Sequence, residues 1–469
     1  MSFELTTAEI AKNTPGGILA AAGEDLPVKI FSIDTRSIKK GDCFIAFKGA
    51  DFNGHDFIPD ALNKGARGVI YDEDIPDNLL HSSRNNFFIR VPDTYQAVID
   101  LAKYKRGKIN FPVLAVTGST GKTTVKELSA GLLNARYSTY KNYLNQNNIL
   151  GLSLNILNCS SEYEFAVFEL GISKFTEMDV LLDILKPDHG LITNIYPVHT
   201  EYLEQEDKIF REKIKLFKNL NSSSLAFYSL DNTYAAEVEK EYSKSLNLKT
   251  FGLISKNDYW AEIKSIGLLK TELAIGGKFE ISVPLLGKQN ACNIIAAVAV
   301  AVELGVDLED CKKALSDFNP LPGRMCHYSF GDIDIIDDSY NSNPAALRAA
   351  LEFISSLNYE GLKIAIISDM LELGPFAQKA HFDAGVFASV LNIDYFLCYG
   401  NEVKYVVEGL LENGVSKKRI YYSDFGNMAD ILYQLAGEKA LLLFKASRNM
   451  GIDLVLNQFK EKISERNAL

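Results

Sequence analysis

The sequence predicts an α/β protein of three domains, and three observations predict this fold class. The chain has 469 residues, too many for one hydrophobic core of typical size. Short apolar runs of strand length alternate with helical patterns through most of the chain, which is typical of parallel sheets covered by helices. Two turn-rich or charged segments interrupt these patterns, so we expect domains at residues 1–108, 109–321 and 322–469.

Composition and charge argue against several classes of protein. The formal charge of -11, without a dense lysine and arginine tract, disfavours a nucleic-acid partner. The longest apolar run, residues 294–302, is far too short to cross a bilayer, and the first residues lack a signal-peptide pattern. The six cysteines are scattered without metal-binding spacing. We therefore expect a cytoplasmic protein with reduced thiols and no membrane insertion.

The first domain is expected to be a small α/β domain. It alternates polar turns with short predicted strands, at residues 29–33, 43–47 and 68–71. Four polar residues follow these strands: Asp34, Arg36, Asn53 and His55. Such groups beside aromatic residues suit a nucleotide-sugar pocket, but ordinary turn chemistry explains the same residue types equally well. We expect residues 105–112 to form a linker into the second domain.

A phosphate loop follows that linker. Residues 113–116 predict a buried strand, and an apolar helical pattern begins at Lys122. The turn between them is a shortened Gly-x-x-Gly-Lys-Thr-Thr motif: Gly118, Ser119, Thr120, Gly121, Lys122, Thr123 and Thr124. Glycines let backbone amides converge on an anion, Lys122 reaches the terminal phosphates, and Thr123 offers its hydroxyl to Mg²⁺. The setting predicts a central P-loop ATPase-like domain with a parallel sheet; a glycine-rich turn without a ligand is the alternative.

Two further side chains follow predicted strands of the same sheet. Glu169 ends the apolar run 165–168, and His199 follows the strand predicted at residues 190–195. Because the carboxyl ends of parallel strands share one edge, both groups are placed to hold Mg²⁺ near the phosphate loop. A surface glutamate and a structural histidine are the alternatives.

Lys213 is the most informative single position. At about 100° per residue, the apolar residues of the surrounding segment share one helical face: Ile209, Phe210, Ile214, Leu216, Phe217 and Leu220. Lys213 falls at the centre of this face, whereas Glu212 and four cations are expected on the opposite one. Burial among cations lowers the pKa of a lysine towards a neutral, reactive amine. Lys213 is therefore paired, extended towards solvent, or chemically modified.

A helix start near the end of the central domain carries two asparagines. A β-rich appendage is expected around residues 265–283, and an apolar helix follows, beginning near Asn290 and Asn293. Residues three apart on a helix are neighbours, so both amides can face one ligand. Helix N-capping explains Asn290 nearly as well.

The third domain has a doubly wound pattern. Two prolines and a glycine in residues 318–324 mark the boundary. Five strands are predicted beyond it, at residues 333–336, 363–367, 395–398, 420–422 and 441–444. Polar loops follow three strand ends, where open parallel sheets bind ligands, at residues 337–344, 368–374 and 445–448. The domain is expected to be Rossmann-like, but no G-x-G-x-x-G follows its first strand, so we expect it to present a second substrate instead of a dinucleotide.

These motifs together resemble the Mur ligase family, the ATP-dependent amide-bond-forming enzymes of peptidoglycan precursor assembly. The family order is kept by Thr117 to Thr124, Asn145-Gln146-Asn147-Asn148, Glu169-Leu170-Gly171, Ile192-Thr193-Asn194-Ile195 with His199, Asn290 with Asn293, and Pro322-Gly323-Arg324. Residues 340–344 and 369–374 are similar to the member that adds D-alanyl-D-alanine. Four positions depart from the family pattern: Leu144, Ser368 and Ala446 replace glycines, and Asp453 stands near a usual glutamate.

The resemblance implies roles for individual residues. Lys122, Lys213 and His199 would be catalytic. The ligands of Mg²⁺ would be Thr123, Glu169, His199 and a carbamylated Lys213. ATP would contact the phosphate loop, Asn290, Asn293, Arg324 and, at the ribose, Asp338. Asp34, Arg36, Asn53 and His55 would lie near the uridine nucleotide. The remaining substrate contacts would be Asn145, Asn147, Asn341 and Asn343, with Lys445, Ser447 and Arg448 near the incoming peptide or the tripeptide end.

The resemblance also implies the reaction. ATP would convert the terminal carboxylate of UDP-N-acetylmuramoyl-tripeptide to an acyl phosphate, and the amine of D-alanyl-D-alanine would displace phosphate. We expect a monomer whose third domain closes over the second to exclude water. Another Mur-family amide ligase or a folylpolyglutamate synthetase-like enzyme is the alternative. A GTPase-type switch lacks its Asn-Lys-x-Asp motif here, and Glu169, His199 and Lys213 disfavour a catalytically silent nucleotide-binding protein.

Overall fold

The computed structural model describes residues 4–21, 25–49, 52–80, 86–196, 206–437 and 439–467. These residues form three β-sheets of five, nine and six strands, which follow one another along the chain. Helices pack on the sheets, so the predicted three-domain α/β fold is confirmed. Within the described ranges, no helix is long and apolar enough to cross a membrane.

The N-terminal domain contains a mixed sheet. Its strands are β1 (Ile18–Ala21), β2 (Phe31–Ser32), β3 (Cys43–Ile45), β4 (Gly68–Tyr71) and β5 (Phe87–Arg90). Its helices are α1 (Thr7–Lys12), α2 (Ile58–Asn63), α3 (Asp77–Leu80) and α4 (Thr94–Lys108). The strand order is β1-β5-β4-β3-β2, with β1 antiparallel to β5 and the other pairs parallel. The three predicted strands are present, and the sequence analysis missed β1 and β5.

The predicted linker at residues 105–112 is wrong for residues 105–108, because α4 continues to Lys108. Lys105 and Arg106 are buried. The Arg106 guanidinium donates hydrogen bonds to the carbonyl oxygens of Leu185 and Lys186, at 2.6 and 2.9 Å. These contacts fasten the end of α4 to the central domain, and tertiary packing therefore overrides the local signals of glycine and charge.

The central domain is built on a nine-stranded sheet. Its strands are β6 (Val113–Thr117), β7 (Thr139–Lys141), β8 (Phe165–Glu169), β9 (His189–Ile192), β10 (Leu225–Ser229), β11 (Asn247–Gly252), β12 (Tyr259–Ile266), β13 (Thr271–Ile275) and β14 (Phe279–Val283). Its helices are α5 (Lys122–Leu133), α6 (Ile149–Leu157), α7 (Glu177–Leu185), α8 (Glu206–Lys213), α9 (Lys215–Lys218), α10 (Ala235–Tyr242), α11 (Lys288–Glu303) and α12 (Leu308–Ser316). The order is β14-β13-β12-β11-β10-β9-β6-β8-β7.

The strands that carry the predicted site are parallel and central in this sheet. β6 lies between β8 and β9, and both pairings are parallel. Alternate residues of β6 enter opposite cores: Ala115 packs on the side that continues into the N-terminal domain, and Val116 packs beneath α5 and α11. The predicted β-rich appendage is present as the antiparallel β12, β13 and β14, which extend the same sheet.

The C-terminal domain is doubly wound, as predicted. Its strands are β15 (Cys326–Phe330), β16 (Ile333–Asp338), β17 (Leu362–Ser368), β18 (Tyr395–Tyr399), β19 (Ile420–Tyr422) and β20 (Ala440–Lys445). Its helices are α13 (Pro344–Ser356), α14 (Ala377–Ser389), α15 (Lys404–Glu412), α16 (Met428–Ala436) and α17 (Ile452–Asn467). The order is β15-β16-β20-β17-β18-β19, with only β15 antiparallel. Separate cores cover the two faces, with α13 to α15 on one and α16 and α17 on the other.

Candidate active site

A cleft of about 790 Å³ lies between the central and C-terminal domains. The central domain contributes the phosphate loop, Asn145, Asn147, Glu169, Asn194, Asn290 and Asn293. The C-terminal side contributes Arg324, Asp338, Tyr340, Asn341, Asn343 and Lys445. The fold therefore brings most of the predicted ATP and peptide contacts to one place, at the carboxyl ends of the parallel strands.

The phosphate loop has the geometry that its motif predicts. It connects β6 directly to α5, and Gly121 takes the left-handed backbone conformation with φ of 77°. A Cβ on Gly121 would lie 2.4 Å from Asn293 Oδ1, so a side chain has no room. Asn194 holds the loop, accepting hydrogen bonds from the backbone amides of Ser119 and Thr120 at 2.9 Å each. The amides of the first turn of α5 have no partner within the helix and can bind an anion.

Lys122 lies over its own loop. Its ammonium donates hydrogen bonds to the carbonyl oxygens of Gly118 and Ser119, at 2.9 and 3.2 Å. Burial lowers the pKa of Lys122 and Arg324 adds to the lowering, while Glu169 opposes it. The ammonium is thus held at the loop by weak carbonyl acceptors, which phosphate oxygens can replace.

Glu169 ends β8 as predicted, and its carboxylate is buried. Oε1 accepts a hydrogen bond of 2.7 Å from Asn147 Nδ2. Oε2 is buried and has no hydrogen-bond partner among the described residues. A buried carboxylate oxygen without a donor is rare in folded proteins and suggests an additional ligand. The surface-glutamate interpretation is therefore wrong.

Lys213 is buried, with 1% of its surface exposed. Desolvation lowers its pKa well below the ordinary value, and the nearby ammonium of Lys122 adds to the lowering, while Glu212 opposes it. The helical-face argument correctly placed this lysine inside, but it misplaced Glu212. Glu212 is also buried, because α7 packs beside it: its carboxylate accepts a hydrogen bond of 3.4 Å from the Met178 amide and pairs with Lys215 at 2.7 Å. His199 lies outside the described residues.

Two buried asparagines and an arginine, which the resemblance predicts to contact ATP, lie together in the cleft. Asn293 Nδ2 donates to Asn290 Oδ1 at 2.9 Å, and Asn290 Nδ2 donates to the Leu286 carbonyl at 2.8 Å. The N-cap of α11 is Gly287, so the capping role considered for Asn290 is wrong. Arg324 stacks on the Tyr340 ring and donates to the Thr123 hydroxyl at 2.9 Å. Arg324 therefore links the C-terminal domain to the phosphate loop.

The predicted C-terminal residues divide into two groups. Lys445 is buried and pairs with Asp338 at 2.6 Å in the cleft. Burial raises the pKa of Asp338, and Lys445 opposes this rise. Ser447 lies behind the cleft wall, where its hydroxyl accepts a hydrogen bond of 2.9 Å from the Leu371 amide. Arg448 donates to the Tyr340 hydroxyl at 3.2 Å. Neither Ser447 nor Arg448 is among the residues that line the cleft.

Comparison with known proteins places the chain in a family. Three family models match it in order: "Mur ligase family, catalytic domain" at residues 27–106, "Mur ligase middle domain" at residues 116–301, and "Mur ligase, glutamate ligase domain" at residues 323–448. A UDP-N-acetylmuramoyl-tripeptide–D-alanyl-D-alanine ligase of Bacillus subtilis is 30% identical over 97% of this chain and 98% of that protein. The chain belongs to the Mur ligase family. The resemblance inferred from the motifs is confirmed.

Solved structures agree with this membership. A crystal structure of MurF from Acinetobacter baumannii matches this Mur ligase with a TM-score of 0.85 at 26% identity, covering 98% of this chain and 99% of that one. MurF ligase from Thermotoga maritima, solved in complex with ADP, matches with a TM-score of 0.77 at 26% identity, covering 94% and 99%. The likeness spans all three domains.

The four N-terminal site residues of this Mur ligase do not line the cleft. Asp34 and Arg36 form an exposed ion pair of 2.7 Å after β2. Asn53 Oδ1 accepts from the His55 amide at 3.1 Å, and Asn53 Nδ2 donates to Glu73 at 2.6 Å. His55 Nε2 lies 3.1 Å from an Asp72 carboxylate oxygen. Their hydrogen bonds are those of ordered turns, so a nucleotide role for them remains a prediction.

The structure gives a physical reason for one departure from the family pattern. Leu144, where the family usually has glycine, takes the left-handed conformation with φ of 46°, which glycine adopts without strain. The fully buried Lys126 stabilises this turn, because its ammonium donates hydrogen bonds to the carbonyl oxygens of Asn142 and Leu144 at 2.8 and 2.9 Å. The unusual residue is therefore accommodated, and Asn147 keeps its contact with Glu169.

Sequence analysis missed other cleft residues. Asn194, Asp231 and Arg348 line the cleft. Asn194 belongs to a motif that was recognised, and its position after β9 was a usable signal. Asp231 and Arg348 lie in ordinary turn and helix sequences, so only the packing of two domains brings them to the cleft.

Proposed function

We propose that the chain is an ATP-dependent amide ligase that joins D-alanyl-D-alanine to UDP-N-acetylmuramoyl-tripeptide in peptidoglycan precursor synthesis. One observation carries this proposal: the phosphate loop, Glu169 and the C-terminal wall meet in one cleft. The relatives aligned over almost the whole length carry the name of this activity. The chain has the parts needed to activate a carboxylate with ATP and to present an amine to it.

The phosphate loop binds and orients ATP in this proposal. The first-turn amides of α5 surround the phosphates, and the helix N-terminus adds positive partial charge. Lys122 exchanges its loop carbonyls for the terminal phosphate and stabilises charge on the transferring group. Asn290, Asn293 and Arg324 contact the adenosine part and phosphates, and Asp338 contacts the ribose.

The residues present fit Mg²⁺. Glu169 Oε2 is buried without a partner among the described residues, and oxygen ligands are those that Mg²⁺ prefers. Thr123 and Glu169, together with His199, would hold the ion, which when bound offsets charge on the transferring phosphoryl group. No three His, Cys, Asp or Glu side chains cluster in the described part of the chain. The site would therefore also depend on phosphate oxygens.

Lys213 is suited to conversion into a carbamate. Only a neutral amine attacks CO₂, and the lowered pKa of this buried lysine favours the neutral form. The amine nitrogen forms a bond to carbon and loses a proton, so that a cation-binding anion replaces an ammonium. The product would help to hold a second Mg²⁺ beside the phosphates.

The peptide chemistry takes place between the phosphate loop and the C-terminal wall. The terminal carboxylate of the tripeptide attacks the γ-phosphorus and ADP leaves, giving an acyl phosphate. The amine of D-alanyl-D-alanine attacks the acyl carbon, and phosphate leaves as the amide forms. Asn145, Asn147, Asn341, Asn343 and Lys445 orient the two peptides, and closure of the C-terminal domain excludes water.

The uridine nucleotide binds the N-terminal domain in this proposal. Asp34, Arg36, Asn53 and His55 supply polar groups beside the exposed rings of Phe52 and Phe57. We further expect a cytoplasmic monomer, in agreement with six free cysteines.

Phosphate release from ATP tests the proposal directly. We expect release only when UDP-N-acetylmuramoyl-tripeptide and D-alanyl-D-alanine are both present, measured with tripeptides that end in lysine and in diaminopimelate. The preferred tripeptide identifies the third stem residue. If neither tripeptide supports phosphate release, the proposed function is wrong.

Lys213→Ala tests the carbamate. Turnover should be abolished and partly restored by a small carboxylate such as formate, because the added anion replaces the missing one. Lys218→Ala is the matched control, since Lys218 is exposed at the end of α9 and forms no ion pair with a described residue. Full activity of Lys213→Ala would contradict the carbamate.

A further inference from the structure

One helix face in the cleft wall has no role in the reaction described above. Helix α13 directs Ala345, Ala346, Arg348 and Ala349 into the cleft. Three methyl-sized side chains leave open space, and Arg348 is the only cation on this helix. The face therefore combines a small apolar surface with the positive charge of Arg348 and, one turn further along, the carboxylate of Glu352, which also lines the cleft.

Arg348 is fixed in position, and its charge has no ionic partner among the described residues. Its guanidinium lies over the Phe387 ring of α14, 4.0 Å from the ring centre. It forms no ion pair or hydrogen bond with any described residue, including Glu352, four residues further along the same face. Stacking on an aromatic ring leaves the N–H edge of a guanidinium available. The arginine is thus positioned to bind an anion that the described part of the chain does not supply.

The spacing fits a dipeptide. A guanidinium binds a carboxylate through two parallel hydrogen bonds. Arg348 follows Asn343 by five residues, so the backbone rises about 7.5 Å between their Cα atoms along the helix axis. An extended dipeptide spans about 7 Å from amine to carboxylate. An amine beside the first turn of α13, near Asn341 and Lys445, would place the other end of the dipeptide at Arg348.

We propose that Arg348 is the receptor for the carboxylate of the incoming dipeptide, and that Ala345, Ala346 and Ala349 accept its methyl groups. This assignment rests on the proposed function and adds the residue that selects a dipeptide with a free carboxylate. Larger side chains on the dipeptide would collide with the helix backbone behind the alanines. Lysine in place of Arg348 would keep the charge but lose the paired hydrogen bonds.

The experiment compares D-alanyl-D-alanine with its C-terminal amide, D-alanyl-D-alaninamide, in the phosphate-release assay. The wild-type enzyme should show a KM about 10- to 100-fold higher for the amide, since a hydrogen-bonded charge is lost. Arg348→Gln should raise the KM for D-alanyl-D-alanine to that of the amide and leave the KM for ATP and for the tripeptide unchanged. Lys379→Gln, which removes a surface cation of α14 paired with Asp383, is the matched control and should behave as wild type.

Two results would overturn the assignment and leave the proposed function standing. One is an equal KM of the wild-type enzyme for the dipeptide and its amide, which needs no variant to fold. The other is an Arg348→Gln enzyme whose KM rises for the tripeptide and not for the dipeptide, which would move the guanidinium to the other substrate. Absence of phosphate release by the wild-type enzyme with every dipeptide removes both the function and the assignment.

Discussion

Lys126 supports the part of the site that orients Glu169. Its ammonium is completely buried and donates to the carbonyls of Asn142 and Leu144 at 2.8 and 2.9 Å. Asn142 in turn accepts a hydrogen bond of 2.8 Å from the Glu169 amide. Lys126 also pairs with Glu127 at 3.0 Å. Replacement by methionine keeps the volume and removes all three contacts.

The size of the effect follows from burial. Each hydrogen bond to a charged donor contributes about 1.5 to 3 kcal/mol, and the abandoned carbonyls stay buried. We expect Lys126→Met to lower the free energy of unfolding by about 3 to 5 kcal/mol. Lys141 pairs with the same Glu127 but is 44% exposed. Lys141→Met should therefore lower the free energy by no more than about 1 kcal/mol.

Urea unfolding and turnover measure the two consequences. Trp260 is the only tryptophan and lies in β12 of the central sheet, so its fluorescence reports the domain that contains Lys126. The midpoint should fall strongly for Lys126→Met and little for Lys141→Met. Turnover of Lys126→Met should fall about 10- to 100-fold, because a shift of the turn misplaces Asn147 and Glu169. Equal free energies of unfolding for the two variants would refute this reasoning.

Three further predictions concern burial, strain and space. Burial lowers the pKa of Lys105 from 10.5 to about 8, so between those pH values the folded protein binds fewer protons than the unfolded chain, and its stability rises with pH. The free energy of unfolding of Lys105→Met should therefore exceed that of wild type by about 3 kcal/mol at pH 7 and should equal it above pH 10.5. A difference between the two proteins that does not change with pH in urea unfolding would contradict this. Leu144→Gly removes the strain of a side chain in the left-handed backbone conformation and should keep or raise the melting temperature, whereas Leu144→Val should lower it. The opposite order of melting temperatures in calorimetry would show that the turn is unstrained. Gly121→Ala brings a Cβ to 2.4 Å from Asn293 Oδ1 and should weaken ATP binding at least about tenfold, measured by titration calorimetry. Gly131→Ala in α5 is the control, because a Cβ there meets open space and should leave the affinity for ATP unchanged. Equal affinities of the two variants would contradict the steric argument.

Local sequence patterns predicted the elements that depend on neighbours in the chain. The phosphate loop, the end of β8 at Glu169 and the five parallel strands of the C-terminal domain were predicted because apolar runs, glycines and polar strand ends are local features. The buried position of Lys213 was predicted from helical periodicity. The same periodicity failed for Glu212, because the neighbouring helix α7 covers it and the Met178 amide donates to its carboxylate.

Long-range packing determined what the sequence analysis missed. Residues 105–108 continue a helix because Arg106 reaches carbonyl oxygens about eighty residues away. Ser447 lies behind the cleft wall and Arg348 lies in it, although both follow ordinary loop and helix patterns. No local signal distinguishes the two positions, since each depends on which elements of another part of the chain pack beside it.

The sequence by itself determined the family, the glycine-rich loop between β6 and α5 and the carboxylate at the end of β8, because these depend on a few residues at fixed spacing. Only the tertiary structure decided which polar groups in the cleft lack a hydrogen-bond partner among the described residues, such as Glu169 Oε2, Arg324 Nε and the Arg348 guanidinium. The physical reason is that hydrogen-bond satisfaction and desolvation depend on every group nearby, and most of those groups are distant in sequence.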